Sequence, residues 1–303
     1  MKPSYPQLLK SGELAKRVDA AHEALKNCTL CPRFCKVNRL EDEKGFCRSG
    51  KTAKVASHNL HHGEEPPISG TKGSGTIFFS NCNLRCIFCQ NYPISQLGHG
   101  ESVDDERLAQ MMLNLQKRGA HNINLVTASH VVPQFLAGLK IAAEEGLELP
   151  IVYNSSGYDG LEALKLLDGV VDIYMPDLKY VTDEPAERYS SATKYWDAAR
   201  AAAKEMYDQV GPLQMDDDGI GTRGLLIRHL VLPGGLAGSE KVFEFIANEL
   251  STEVPVNLMS QYFPAHKAVD DALLCRKITK EEFAQAEEAL HKWKLDNGWI
   301  QRM

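Results

Sequence analysis

From Thr76 onward the chain alternates short apolar runs with longer segments whose hydrophobic residues recur every three or four positions. The runs TIFFS (76–80), NINLVT (122–127), PIVYN (150–154), VDIYM (171–175), LLIRHLVL (225–232) and VPVNLMS (254–260) are the predicted strands. Segments 104–118, 131–145, 159–167, 193–210, 239–250 and 279–296 are the predicted helices. The runs at 76–80, 122–127, 150–154 and 225–232 are apolar along most of their length rather than alternating, which suits parallel strands covered on both faces. Repeated strand-then-helix units imply right-handed crossovers. Six such units fit a full barrel with missing staves, a partial barrel or an open doubly wound sheet, and periodicity does not separate the three.

The chain before Thr76 has a different texture. Residues 13–26 place Leu14, Val18, Ala21 and Leu25 on one helical stripe. Residues 27–50 are polar and show no steady period, so an organiser other than a hydrophobic core is expected there. Residues 51–75, rich in Gly, Pro and His, read as irregular. The resulting division is an N-terminal helix and cysteine-rich metal-binding extension (1–75) followed by an α/β domain (76–303). The stretch QMDDDGIGTRG (214–224) reads as an exposed loop.

Composition narrows the function. Hydrophobic residues make up 43% of the 303 and charged residues 24%, as in an ordinary globular protein. The net charge of -6 offers no general basic surface for nucleic acid. No apolar run reaches the roughly 18 residues of a membrane helix, and the N-terminus lacks the apolar stretch of a signal peptide. A cytoplasmic location is the expectation.

Cysteine changes the picture. Seven of the eight lie between Cys28 and Cys89, and Cys275 stands alone. Clustered thiols in a reducing compartment bind metal or do chemistry. Cys82, Cys86 and Cys89 have the spacing C-x3-C-x2-C directly after the first strand of the βα series. In parallel α/β folds, ligands bind beyond the carboxyl ends of strands. Three thiolates leave one iron of a [4Fe–4S] cube open to a small molecule, since such a cube usually takes four. Cys28, Cys31, Cys35 and Cys47, spaced C-x2-C-x3-C-x11-C, satisfy either structural zinc or a fully ligated iron–sulfur cluster. Cys275 is expected in the core. Arg228 and His229 interrupt an apolar strand, and a charge there is usually paired or faces a ligand.

The C-x3-C-x2-C motif, with Phe88 before its last cysteine, resembles the signature of radical S-adenosylmethionine (SAM) enzymes. The pieces CQN (89–91), YNSSGY (153–158), MPDLK (175–179), RHLVLPGG (228–235) and SQYFPAH (260–266) are similar to strand-end segments of the pyruvate formate-lyase activating enzyme family. The resemblance runs from about Cys28 to Lys267. It implies a partial (βα)6 barrel of the TIM type with an N-terminal cysteine-rich extension. It implies a [4Fe–4S] cluster on Cys82, Cys86 and Cys89 and SAM as cosubstrate, cleaved reductively to a 5′-deoxyadenosyl radical that abstracts hydrogen. It implies SAM contacts at Phe88, Asn154, Ser156, Asp177, Lys179 and His266. Many radical SAM enzymes carry a Gly-Gly-Glu-type segment after the second strand; this chain has Thr127, Ala128, Ser129 and His130, so Thr127 and Ser129 are the candidates there. In the resembled enzyme the counterpart of Asp177 joins a monovalent-cation site, but an Asp of that enzyme is Asn154 here, which weakens such a site. Reduced flavodoxin or ferredoxin is the implied electron donor, and a glycyl radical enzyme the implied partner. Radical modification of a small molecule or peptide side chain stays open, as does a zinc-stabilised, non-catalytic binding protein.

Overall fold

A computed structural model of the chain describes residues 3–301. Its strands are β1 (Ala53–His61), β2 (Ser74–Phe79), β3 (Glu101–Val103), β4 (Ile123–Val126), β5 (Ile151–Ser155), β6 (Ile173–Pro176), β7 (Gln214–Met215), β8 (Gly221–Leu225), β9 (Ile227–Leu230), β10 (Val256–Met259) and β11 (Trp299–Ile300). One sheet has the order β3-β1-β2-β4-β5-β6-β8-β7, the other β11-β10-β9. Strands β2, β4, β5, β6 and β8 are parallel neighbours, and β9 and β10 continue in the same sense. The apolar run at 225–232 is therefore two strands rather than one. Its first part pairs with β6, its second with β10, and the Asp177–Arg228 bridge stitches the junction. This change of partner curls the sheet into a partial (βα)6 barrel.

Each of six strands is followed by a helix: Asp105–Lys117, Val132–Glu144, Leu161–Leu167, Tyr195–Val210, Ser239–Phe245 and Lys280–Lys292 follow β2, β4, β5, β6, β9 and β10 in turn. Local chemistry sets their ends. Asp104 accepts a hydrogen bond from the Arg107 amide at the start of the first, and Thr279 and Glu282 form a reciprocal capping box at the start of the last. Helix Val132–Glu144 is buried over most of its surface, from Val132 through Leu139. It is packed between helix Asp105–Lys117 and the N-terminal helix Glu13–Glu23. That N-terminal helix presents Leu14 and Ala21 as fully buried residues, with Leu25 in the turn that follows.

Three expectations need correction. Residues 51–75 are not irregular: β1 pairs antiparallel with β2 from Val55 to His61, and Pro66–Ser69 form a helical turn. Its alternating, half-exposed pattern belongs to a strand whose partner is supplied from farther along the chain. The division at 75/76 cuts through β2, so the extension and the barrel share one sheet. The segment 214–224 is a hairpin of β7 and β8 with an exposed acidic tip, not a plain loop. Among the described residues, no helix is long and apolar enough to cross a membrane.

Candidate active site

The chain leaves β2 through Ser80 and Asn81, the latter at φ +70, and enters the loop carrying Cys82, Cys86 and Cys89. The loop is pinned from outside. The amides of Arg85 and Ile87 donate to the carbonyls of Ser190 and Tyr189 (3.0 and 2.9 Å), and Asn83 Nδ2 donates to Tyr158 O at 2.6 Å. Cys82 and Cys86 are buried and Cys89 half-buried. All three line a cavity of about 420 Å³ at the carboxyl ends of the barrel strands, a size in the range of ligand sites.

Each sulfur already has a polar neighbour. The Leu84 amide donates to Cys82 Sγ (3.3 Å), Ser190 Oγ donates to Cys86 Sγ (3.0 Å), and Ser95 Oγ lies 3.1 Å from Cys89 Sγ. Burial pushes the Cys82 thiol up to about 12. It pushes Cys86 up to about 11 despite the opposing charge of Lys179. Metal binding here must therefore displace thiol protons.

The opposite wall is polar. Thr127, Asn154, Ser156, Asp177, Lys179 and Arg228 all line the same cavity. Thr127 holds φ +63 directly after β4, an uncommon conformation for a β-branched residue. Arg228 donates from Nε to Asp177 Oδ1 and from Nη2 to Asn154 Oδ1, both at 2.7 Å. Lys179 Nζ pairs with Asp177 Oδ2. Burial works to raise the Asp177 carboxyl, but Arg228 and Lys179 outweigh it and leave it below its ordinary value. A guanidinium thus spans Asn154 and Asp177 and supplies the countercharge of Asp177. The backbone beneath is fixed by Tyr195, whose hydroxyl donates to Ser156 O and accepts from the Lys179 amide. Gly157, at φ +74, is required there, because a Cβ would stand 2.5 Å from Asp177 O.

Nine of the eleven residues proposed for this site from sequence line this cavity: the three cysteines, Phe88, Thr127, Asn154, Ser156, Asp177 and Lys179. Two do not. Ser129 is buried behind the wall, outside the cavity lining. His266 lies off the cavity and stacks on Tyr92, ring centroids 4.7 Å apart. Phe88 lines the cavity and packs edge-on against Tyr262. Cys275 is exposed, not in the core, because it caps a turn beyond the buried Leu274. Sequence reading missed Glu64, which lines the cavity within 3.6 Å of Arg228, and Ser190, whose contact with Cys86 spans 104 residues. Only the unusual Glu64–Glu65 pair before two prolines could have signalled the first. Cys28, Cys31, Cys35 and Cys47 do not reach this cavity; they line a second, smaller one.

The Radical SAM superfamily model matches residues 76–212. An uncharacterised protein of Methanocaldococcus jannaschii is 34% identical over 297 residues, covering 96% of this chain and 82% of that protein. The chain belongs to the radical SAM superfamily. The pyruvate formate-lyase-activating enzyme of Clostridium pasteurianum is 27% identical over 113 residues, 36% of this chain and 46% of that one. Among solved structures, Streptococcus suis SuiB bound to precursor peptide SuiA has a TM-score of 0.50 at 10% identity, covering 73% of this chain and 47% of that one. This likeness shows a shared fold.

A radical SAM protein works with a [4Fe–4S] cluster and SAM. The cavity fits both. Its donor set is three thiols with one coordination position left open. Ser156 Oγ is a buried polar atom without a partner among the described residues, the kind of group a bound ligand satisfies.

Proposed function

We propose that Cys82, Cys86 and Cys89 hold the cluster, that SAM lies against Thr127, Asn154, Ser156, Asp177 and Lys179, and that the protein takes a hydrogen atom from a backbone glycine of a partner enzyme. The observation that carries this reading is the convergence of three thiols and the Asp177–Lys179–Arg228 charge cluster on one cavity. When bound, the cluster supplies the electron that breaks the S–C5′ bond of SAM, and the resulting primary radical abstracts hydrogen.

The chain's own residues then have distinct tasks. Lys179 stays a cation: burial works against its charge, but Asp177 and Cys86 raise its proton affinity above the ordinary value. It is therefore a fixed positive group for a ligand carboxylate. Asp177, kept ionised by Arg228, is an acceptor for ligand hydroxyl or ammonium groups. Thr127 and Ser156 offer uncommitted hydroxyls at the strand ends. Leu84, Phe88, Ile94, Val126, Leu230 and Met259 form apolar wall between these groups and keep water from the reacting centre. Reduced flavodoxin or ferredoxin is the electron source in this reading, and the similarity to the Clostridium pasteurianum activating enzyme supports a glycyl radical enzyme as substrate.

Anaerobically reconstituted protein should release 5′-deoxyadenosine from SAM with dithionite, and Cys86→Ala should release none. With a candidate partner carrying α-deuterated glycine, deuterium should enter 5′-deoxyadenosine and the partner should gain a glycyl EPR signal. SAM cleavage with no deuterium from glycine in any partner would favour a second reading, modification of a small molecule or peptide side chain. Glu64 supports that alternative: it lines the cavity, is not among the proposed SAM contacts, and suits a polar or cationic substrate group. Family membership leaves the non-catalytic zinc protein without support.

A further inference from the structure

The four N-terminal cysteines surround a cavity of their own, closed off by Leu30 and Val37 and bordered by Arg39 and His130. Three observations there are unexplained by the SAM site. Arg39 is 1% exposed, and no carboxylate lies within ion-pair distance of it among the described residues. Its donors go to carbonyls, Gly50 O and His130 O, and its Nη1 stands 3.9 Å from Cys28 Sγ. A buried guanidinium without an anion is costly; among the described residues, the acidic groups lining this cavity are the four cysteine thiols, which become anions on binding metal. His130, also 1% exposed, uses Nε2 on Ser80 O and leaves Nδ1 without a partner. The backbone around Cys35 is held in an uncommon form, with Phe34 at φ +43 and Lys36 at φ +57. Gly45 makes room for the Cys35 sulfur, since a Cβ at Gly45 would stand 2.7 Å from it.

This cavity also touches the loop of the first site. Phe46, next to Cys47, accepts from Arg85 Nη2 at 2.6 Å, and Arg85 Nη1 donates to Cys82 O at 2.8 Å. Arg33 lies over the Phe46 ring at 3.6 Å and donates to Asn83 O at 2.9 Å. A tetrahedral zinc draws its sulfurs to about 2.3 Å from one point, whereas a four-iron cube takes each thiolate on a separate corner. The bonds through Arg33, Phe46 and Arg85 set this cysteine set against the loop of the first site, where an electron-carrying centre has a use and an inert zinc has none.

We propose that Cys28, Cys31, Cys35 and Cys47 ligate a second, fully coordinated [4Fe–4S] cluster, charge-balanced by Arg39 and joined to the SAM-site loop through Phe46 and Arg85. Its net negative charge, from four thiolates, answers the buried guanidinium. Its closed coordination leaves SAM no place to bind, so it differs in kind from the first centre.

The test begins with the whole protein, reconstituted anaerobically with iron and sulfide. It should bind about eight irons and eight sulfides per chain, from two four-iron clusters. Cys82→Ala/Cys86→Ala/Cys89→Ala should keep about four of each, with an EPR signal after reduction that SAM does not alter. Cys28→Ala/Cys31→Ala should lose that signal and keep the SAM-sensitive one. Arg39→Gln should lower the midpoint potential of the SAM-insensitive signal and leave the other unmoved. Wild-type protein that saturates at about four irons, or that carries one zinc in place of the second four, would overturn the proposal. Those results do not touch the SAM-sensitive signal, so the two readings fail separately.

Discussion

Glu64 gives the most exacting test of the cavity's electrostatics. Its side chain is 8% exposed and lies 3.6 Å from Arg228. Burial raises its carboxyl from 4.5 to about 7; Arg228 opposes this, while Glu65 and Asp177 reinforce it. Between those two values the folded protein binds a proton that the unfolded chain has released. Stability is therefore intact below about 4.5, falls as pH rises through the window, and is flat above about 7. A displacement of that size amounts to about 3 kcal/mol once the window is crossed. Glu64→Gln keeps the shape and a carbonyl acceptor but never ionises. Reconstituted wild type and variant can be compared by urea unfolding, followed by circular dichroism under anaerobic conditions. The variant should gain on wild type as pH rises, the gap widening by about 2.5 kcal/mol between pH 5 and pH 8. A gap that stays constant across that range would show that Glu64 is ionised throughout and that burial does not govern it.

Three further outcomes follow from the same wall. Arg228→Met strands Asp177 and its two glutamate neighbours, and should destabilise the protein by about 3–5 kcal/mol at neutral pH, measured by urea unfolding. Because the Arg228 guanidinium already bridges Asn154 and Asp177, the rate of 5′-deoxyadenosine release should not change when potassium or sodium is replaced by choline; a strong requirement for one metal cation would refute the bridging role. Ser190→Ala removes the hydroxyl donor to Cys86 Sγ and should lower the midpoint potential of the SAM-sensitive EPR signal, with an unchanged iron count.

What was legible in the chain was whatever repeats locally. The apolar runs of β2, β4, β5 and β6 and the helices after them follow from periodicity, because a parallel strand buried on both faces is apolar along most of its length, and the few buried polar residues, such as Thr76 and Asn124, do not break the pattern. The three-cysteine loop was legible for a similar reason: its ligands come from eight consecutive positions, Cys82 to Cys89. The partners that arrive from elsewhere were not. Strand β1 is recognisable only beside β2, and its half-exposed histidines hide it. Ser190 touches Cys86 because a helix from beyond β6 folds back over the loop. Arg228 could be flagged as a charge in an apolar run, but its bonds to Asn154 and Asp177 depend on three strand ends meeting. Ser129 illustrates the converse. It sits two positions from Thr127, yet the left-handed turn at Thr127 sends the chain away from the cavity.

The antiparallel pairing of β1 with β2 has a bearing on how the chain could be divided. The barrel's first strand has two sides, one taken by β4 and the other by β1. A polypeptide begun at residue 76 would present the second side bare, a row of unpaired amides and carbonyls beside the cysteine loop. Such an edge recruits other strands, from neighbouring copies if nothing else is available. The N-terminal segment therefore acts as an intramolecular guard against self-association. A shortened chain should precipitate or form higher-order species even though every residue matched by the family model is present.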